Sequence, residues 1–161
     1  MTKAHQVVTQ QDEWGCGVAC VASRLGLSYV EARRRLVHVK GIEIDGAPHG
    51  LRFAVVRAVL NEGKRPVMWS LRSEVWPSGT VVFLSRQWGR YCDSGHYMLR
   101  VSAGWMDPWK NFPSSSRRGG IRRHLPKDTE VTAALVPKPA NKPLQRTVAS
   151  LALRAPSRAR R

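Results

Sequence analysis

Three features that are common in proteins are scarce or absent in this sequence of 161 residues. It has only three cysteines, its opening segment MTKAHQVVTQQDEWG lacks the apolar core of a signal peptide, and no stretch approaches the roughly 20 apolar residues that cross a bilayer. An odd number of cysteines without a secretory signal favours reduced thiols. We therefore expect a cytoplasmic protein without a membrane span, held together by one hydrophobic core.

Acidic residues are also scarce. Asp and Glu number 11 against 27 Lys and Arg, which gives a net charge of +16. The last acid is Glu130, whereas residues 138–161 carry seven Lys and Arg. Charge of this sign favours non-specific attraction to nucleic acids and other anions. Because no nucleic-acid recognition motif accompanies the charge, we do not expect nucleic-acid binding to be the main function.

The hydrophobic patterns predict helices first and strands afterwards. Three segments with apolar residues at helical spacing lie between residues 16 and 62. Gly26 is placed to end the first helix, and Ser28 with Glu31 forms a capping box that begins the second. Short runs rich in Val, Leu, Met and aromatic residues follow, with a tight hairpin turn at residues 102–104. This order predicts an α+β fold in which N-terminal helices pack on an antiparallel sheet.

The chain divides into one domain and one tail. Residues 1–137 contain all the predicted helices and strands, and within them the segment PSSSRRGGIRRH, residues 113–124, is expected to be a mobile basic loop. Residues 138–161 are rich in Pro, Arg and Ala, a composition that predicts a disordered basic tail. The letters ANKPLQRT in the tail resemble the translated ends of proteins encoded on integron gene cassettes. That resemblance implies that the charge of the tail is a by-product of its genetic origin.

Cys16 stands where a polar lead-in meets the first apolar helix. A nucleophilic cysteine reacts as its thiolate, and an ordinary thiol titrates at about 8.5. Two devices stabilise a thiolate: the positive end of a helix dipole, and a histidine that becomes cationic beside the sulfur. The position at a helix start supplies the first device, so Cys16 is the candidate nucleophile.

His96 is the best placed of the five histidines to act as the base. It begins a predicted strand, and Asp107 lies 11 residues later at the end of the hairpin mate. The start of one strand and the end of its mate lie side by side, so the carboxylate can reach the imidazole. There Asp107 would hold the ring's tautomer and stabilise the imidazolium. Trp105 and Trp109 flank Asp107 and are expected to shield it from water.

Acyl chemistry also needs hydrogen-bond donors for the developing oxyanion. The backbone amide of Cys16, at a helix N-terminus, supplies one donor. Gln10 lies six residues before Cys16, and its side-chain amide supplies a second. Gln10 is therefore the candidate oxyanion-hole residue, with Gln11 as the alternative if the spacing differs by one.

These residues together resemble a known family. A glutamine six positions before CGxAC, followed far along the chain by GHY and then DP, is similar to the pattern of the bacteriocin-leader peptidases. Those are papain-like cysteine peptidases that cleave after a double glycine, often as the N-terminal domain of an export transporter. The resemblance covers residues 7–112. It implies Cys16 as nucleophile, His96 as general base and acid, Asp107 as the orienting residue and Gln10 in the oxyanion hole.

The resemblance further implies a papain-like fold and a stand-alone domain, because the sequence has neither a membrane segment nor the GxxxxGK[ST] motif of an exporter. Trp14 is expected to line the substrate cleft, and no cofactor or metal ion is expected. The expected partner is a peptide or protein, hydrolysed at a peptide or isopeptide bond through an acyl-enzyme. Transferase and deamidase chemistry would use the same residues.

Two alternatives remain open. The first is a structural zinc site, since three sulfurs and an imidazole can hold this ion. Its ligands would be two pairs with three residues between the members of each, Cys16 with Cys20 and Cys92 with His96. The second is a module that binds peptide or nucleic acid, with the basic segment 117–123 as its contact surface.

Overall fold

The computed structural model describes residues 5–40, 51–62, 67–70, 75–84 and 89–139. Three helices and six strands lie within these ranges. The helices are α1 (Cys16–Leu25), α2 (Tyr29–Lys40) and α3 (Phe53–Glu62). The strands are β1 (Val67–Ser70), β2 (Val81–Leu84), β3 (His96–Val101), β4 (Gly104–Asp107), β5 (Gly120–Arg122) and β6 (Val131–Pro137). No helix among the described residues is long and apolar enough to cross a membrane.

All six strands form one sheet in the order β1-β6-β2-β3-β4-β5. Every neighbouring pair is antiparallel. The predicted α+β arrangement, with helices first and an antiparallel sheet afterwards, is confirmed. The tail from residue 140 onwards lies outside the described residues, so its predicted disorder stays a prediction.

Helix α1 is the central helix, because every residue from Gly17 to Arg24 is buried. Gly26 ends it in the left-handed conformation, with φ of 69°. Helix α2 begins at the predicted capping box. The Glu31 amide donates to Ser28 Oγ at 3.2 Å, and the Ser28 amide donates to Glu31 Oε2 at 3.1 Å. Both predicted helix boundaries are confirmed.

The sheet is buried on two sides, since alternate residues of its central strands belong to different apolar clusters. Val81 and Leu99 pack against the three helices. Val82 and Met98 join a second cluster on the opposite face, together with Trp105. Strand β3 is consequently buried on both faces, which gives its first residue a rigid setting.

The β3–β4 hairpin has the predicted tight turn. Val101 pairs with Gly104, so residues 102 and 103 form the connection. The expectation for residues 113–124 is wrong in part, because residues 120–122 form β5 and pair with β4. Three residues are too few to give a strand pattern in the sequence, and this strand exists through its pairing with β4.

Candidate active site

His96 and Asp107 meet at one end of the β3–β4 hairpin. His96 is the first residue of β3, and Asp107 is the last residue of β4. The hairpin register places Leu99 opposite Met106, which brings the two ends together. His96 Nε2 lies 2.8 Å from Asp107 Oδ1, and the two side chains are only 3% and 0% exposed.

Cys16 begins α1 and completes the constellation. Its side chain lines the same pocket as His96 and is close enough to raise the pKa of that imidazole. Because Nε2 of the ring contacts Asp107, Nδ1 is the nitrogen that remains for Cys16. The first amides of α1 have no partner within the helix, so the thiol also lies at the positive end of the helix dipole. The structure thus brings together Cys16, His96 and Asp107, as the sequence predicts.

The turn before Cys16 is held by Asp12. This carboxylate accepts a hydrogen bond from the Tyr29 hydroxyl at 2.6 Å and another from the Trp14 amide at 3.2 Å. Gly15 is needed at the end of the turn, because a Cβ there would lie 1.8 Å from the Tyr29 hydroxyl oxygen. Helix α2 thereby fixes the direction in which the chain enters α1.

The electrostatics of the pair favour ionised partners. Burial alone would lower the pKa of His96, but hydrogen bonds with Asp107 and Cys16, and the negative charge of both, raise the pKa to about 9. Burial alone would raise the pKa of Asp107, but the contact with His96, followed by the contact with Arg122, lowers the pKa to about 2. At neutral pH His96 is therefore an imidazolium and Asp107 a carboxylate.

Asp107 accepts hydrogen bonds on both of its oxygens. Oδ1 accepts the Trp109 amide at 2.9 Å in addition to His96. Oδ2 accepts Arg122 Nε at 2.5 Å. A buried carboxylate with all these donors is fully satisfied, and its orientation towards His96 is determined from three sides.

Aromatic side chains enclose the imidazole. The ring of Tyr91 stacks on that of His96 with centroids 4.3 Å apart and planes inclined by 18°. Phe112 packs against Tyr91 on one side and against Trp109 on the other. The Tyr91 hydroxyl is buried and has no hydrogen-bond partner among the described residues, and burial raises its pKa. These rings exclude water from the hydrogen bond between His96 and Asp107.

Cys16 and His96 line a pocket of about 250 Å³, whereas Asp107 does not reach its wall. Its wall includes Gln10, Trp14, Cys16, Tyr91, His96 and Trp109. The expectation that Trp14 lines the cleft is confirmed, and Trp109 is buried as expected. Glu13 and Asp93 also line the pocket, whereas no Lys or Arg of the described residues does. Cys16 and His96 therefore face a cleft that is lined by both apolar and acidic side chains.

Gln10 lies in the pocket wall and is 1% exposed. Its backbone amide donates to the Pro108 carbonyl at 3.2 Å, which ties the N-terminal segment to the end of β4. Its side-chain nitrogen donates to the carbonyls of Asp12 at 3.0 Å and Glu13 at 3.1 Å. The side-chain oxygen has no partner among the described residues. Gln10 is thus close to Cys16, and its role in the oxyanion hole stays a prediction that requires one amide hydrogen to turn to the substrate.

Sequence reasoning missed two residues of the site. Arg122 lies in the predicted basic loop, because a run of arginines gives no sign of which one contacts Asp107. Tyr91 precedes His96 by five residues, and an aromatic residue at that distance has no periodic signal. Both contacts arise from the tertiary structure.

All four ligands of the alternative zinc site are among the described residues, but they do not lie together in a metal-binding arrangement. Cys20 is buried in α1, and burial raises the pKa of its thiol, whereas Cys92 is exposed. No group of three or more His, Cys, Asp or Glu among the described residues is arranged to hold a metal ion.

Comparisons of the chain with protein-family models, with curated proteins and with solved structures found no match. The assignment of a function therefore rests on the residues of the site themselves.

Proposed function

We propose that the protein is a cytoplasmic cysteine peptidase or a related thiol hydrolase with a papain-like fold. The observation that carries the proposal is the buried imidazole of His96, which bonds to Asp107 through Nε2 and lines a pocket together with Cys16. The resemblance to the bacteriocin-leader peptidases supports the same roles. The substrate class is a peptide or protein.

In the first half of the reaction, the Cys16 thiolate, paired with the His96 imidazolium, attacks the carbonyl carbon of the substrate. The carbonyl oxygen becomes an oxyanion, which accepts hydrogen bonds from the Cys16 amide and from Gln10. His96 then gives its proton to the leaving amine. The carbon–nitrogen bond breaks, and a thioester remains on Cys16.

In the second half, His96 accepts a proton from water while the oxygen of that water attacks the thioester carbonyl. The second tetrahedral intermediate collapses, the carbon–sulfur bond breaks and the thiolate leaves with the imidazolium beside it. Asp107 keeps the ring in one orientation throughout and stabilises its cationic form. An amine in place of water would give transfer, and a side-chain amide in place of the peptide bond would give deamidation.

Incubation with a peptide library derived from a proteome, read by mass spectrometry, tests this function. The wild type should produce new termini, and Cys16→Ala should lower the cleavage rate by at least about 10³-fold because no acyl-enzyme forms. His96→Ala should lower it by about 10² to 10⁴-fold. Cys92→Ala, which removes an exposed thiol of the pocket wall, is the matched control and should lose no more than a few-fold in rate, because that thiol takes no part in the chemistry.

Cleavage by Cys16→Ala at the wild-type rate would refute the assignment of the nucleophile. A wild type that cleaves nothing, but binds peptide or nucleic acid and loses that binding when Arg118 and Arg123 are changed to Gln, would instead support the binding module. Both arginines are exposed, so these substitutions leave the core intact.

A further inference from the structure

The carboxylate of Asp107 has a second cationic neighbour besides His96. Arg122 lies on the edge strand β5, directly opposite Trp105 in the ladder and therefore diagonal to Asp107 on the same face. Gly120 occupies the position opposite Asp107, so no side chain separates the two groups. The guanidinium reaches Asp107 Oδ2 through Nε and the Lys110 carbonyl through Nη2.

We propose that Arg122 is a positioning residue that acts through Asp107: it holds one carboxylate oxygen and offsets its charge, so that His96 binds its proton firmly yet can still release it to a substrate. This role rests on the function proposed above for Cys16 and His96. Among the described residues, Arg122 donates to the Asp107 carboxylate and to the Lys110 carbonyl and forms no hydrogen bond with Cys16 or His96.

Charge balance is the first argument for this role. A thiolate at Cys16, an imidazolium at His96, the Asp107 carboxylate and the Arg122 guanidinium sum to zero. Without Arg122 the buried group would carry one uncompensated negative charge, and Asp107 is 0% exposed. Removing one partner of a buried ion pair leaves the other without its compensation, which is the costly case.

The direction of the electrostatic effect is the second argument. The Arg122 hydrogen bond is among the causes that lower the pKa of Asp107, and loss of a nearby cation favours the proton-bound form of any neighbour. A more basic His96 would give up its proton less readily to the leaving amine and would serve less well as an acid. Arg122 thus limits the extent to which Asp107 increases the proton affinity of His96.

The other titratable groups around the pair lie on different elements and do not replace Arg122. Cys16 and Cys20 face the pair from α1, and burial keeps the pKa of the Cys20 thiol high. Tyr91 stacks on His96, and burial raises the pKa of its phenol too. Among the described residues, these groups supply no positive charge to Asp107.

The titration of His96, followed by NMR of ¹³C-labelled imidazole carbons, tests this role without any substrate. All proteins in this experiment carry Cys16→Ala, so that the His96 ring titrates without the thiol. The His96 resonance is identified as the one that is missing in His96→Gln. Arg122→Gln should raise the pKa of His96 by about 1 unit, because a cation is lost at short range. Arg123→Gln removes the same charge from the adjacent exposed position and should change the pKa by less than about 0.3 unit.

Arg122→Lys restores the charge, and the pKa of His96 should then return to within about 0.3 unit of the Cys16→Ala parent. An unchanged or lower pKa in Arg122→Gln overturns the role, as does an equal rise in Arg122→Lys. If Arg122→Gln does not fold, Arg122→Met, which removes the same charge and keeps an unbranched side chain, replaces it under the same limits. Failure of peptide cleavage would count against the proposed function only, since this titration requires no turnover.

Discussion

Asp107 is the residue on which the candidate site depends most, because it joins the base to the rest of the fold. Its two oxygens accept hydrogen bonds from the His96 ring, the Trp109 amide and the Arg122 guanidinium, all at a position that water does not reach. A group held this way has different proton affinities in the folded and unfolded chains, so it links stability to pH.

The free energy of unfolding should fall at both ends of the pH range. Asp107 has a folded pKa of about 2 against an ordinary value of 3.8, so its contribution is present above pH 3.8 and is lost as the pH falls towards 2. His96 has a folded pKa of about 9 against an ordinary value of 6.5. Its contribution is complete below pH 6.5 and is lost as the pH rises through 9. Each shift corresponds to about 2 to 3 kcal/mol.

Urea unfolding between about pH 2 and pH 10 measures both limbs. Asp107→Asn should reduce the pH dependence of the unfolding free energy at both low and high pH, since the raised pKa of His96 depends on this carboxylate. Asp128→Asn, at an exposed carboxylate 3.7 Å from Arg90, is the control and should keep the wild-type profile. Identical profiles for the wild type and Asp107→Asn would show that the pair does not titrate as described.

At the scale of elements, helix α1 determines where Cys16, the candidate nucleophile, lies. The helix is buried on all sides, its start is fixed by the turn that Asp12 holds, and its end is fixed by Gly26. Gly17 allows close packing near the start, because a Cβ there would lie 3.0 Å from Leu51 and 3.2 Å from Tyr97. Tyr97 follows His96 in β3, so this packing sets the distance between the helix and the strand that carry the site.

Gly26→Ala should destabilise the protein by about 1 kcal/mol, because φ of 69° is unfavourable for a residue with a Cβ. Apart from its chain neighbours, no atom of the described residues lies within 4 Å of the position of that Cβ, so the cost is conformational and involves no clash. Gly26→Asn is the matched control and should lose less, since asparagine tolerates this conformation better. Equal losses in urea unfolding for the two variants would contradict the explanation.

At the scale of elements, local signals also explain which predictions succeed. The capping box of Ser28 and Glu31, the stop at Gly26 and the hairpin turn each depend on a few neighbouring residues, and all three were predicted from the sequence. Strand β5 was not predicted, because its three residues become a strand only beside β4. The same limit applies to the contact of Arg122 with Asp107 and to the stacking of Tyr91 on His96, since neither has a pattern within the sequence.

For the whole molecule, the net positive charge and the candidate site involve different parts of the chain. The net charge of +16 identifies no function, and many of the basic residues lie in the tail, outside the described residues. The pocket carries the carboxylates of Glu13 and Asp93 in its lining instead. What relates the sequence to a function is the meeting of Cys16, His96 and Asp107, which are far apart in the chain and adjacent in the fold.

The rate at which iodoacetamide labels each cysteine between about pH 4 and pH 9, read by mass spectrometry, tests that meeting most directly. At about pH 6 we expect Cys16 to react at least about tenfold faster than the exposed Cys92, because the imidazolium of His96 stabilises its thiolate. His96→Ala should remove this advantage, and Cys20 should stay protected in the core. A Cys16 that labels no faster than Cys92 at this pH, or whose rate is the same in His96→Ala, would contradict the central claim that these residues form a catalytic pair.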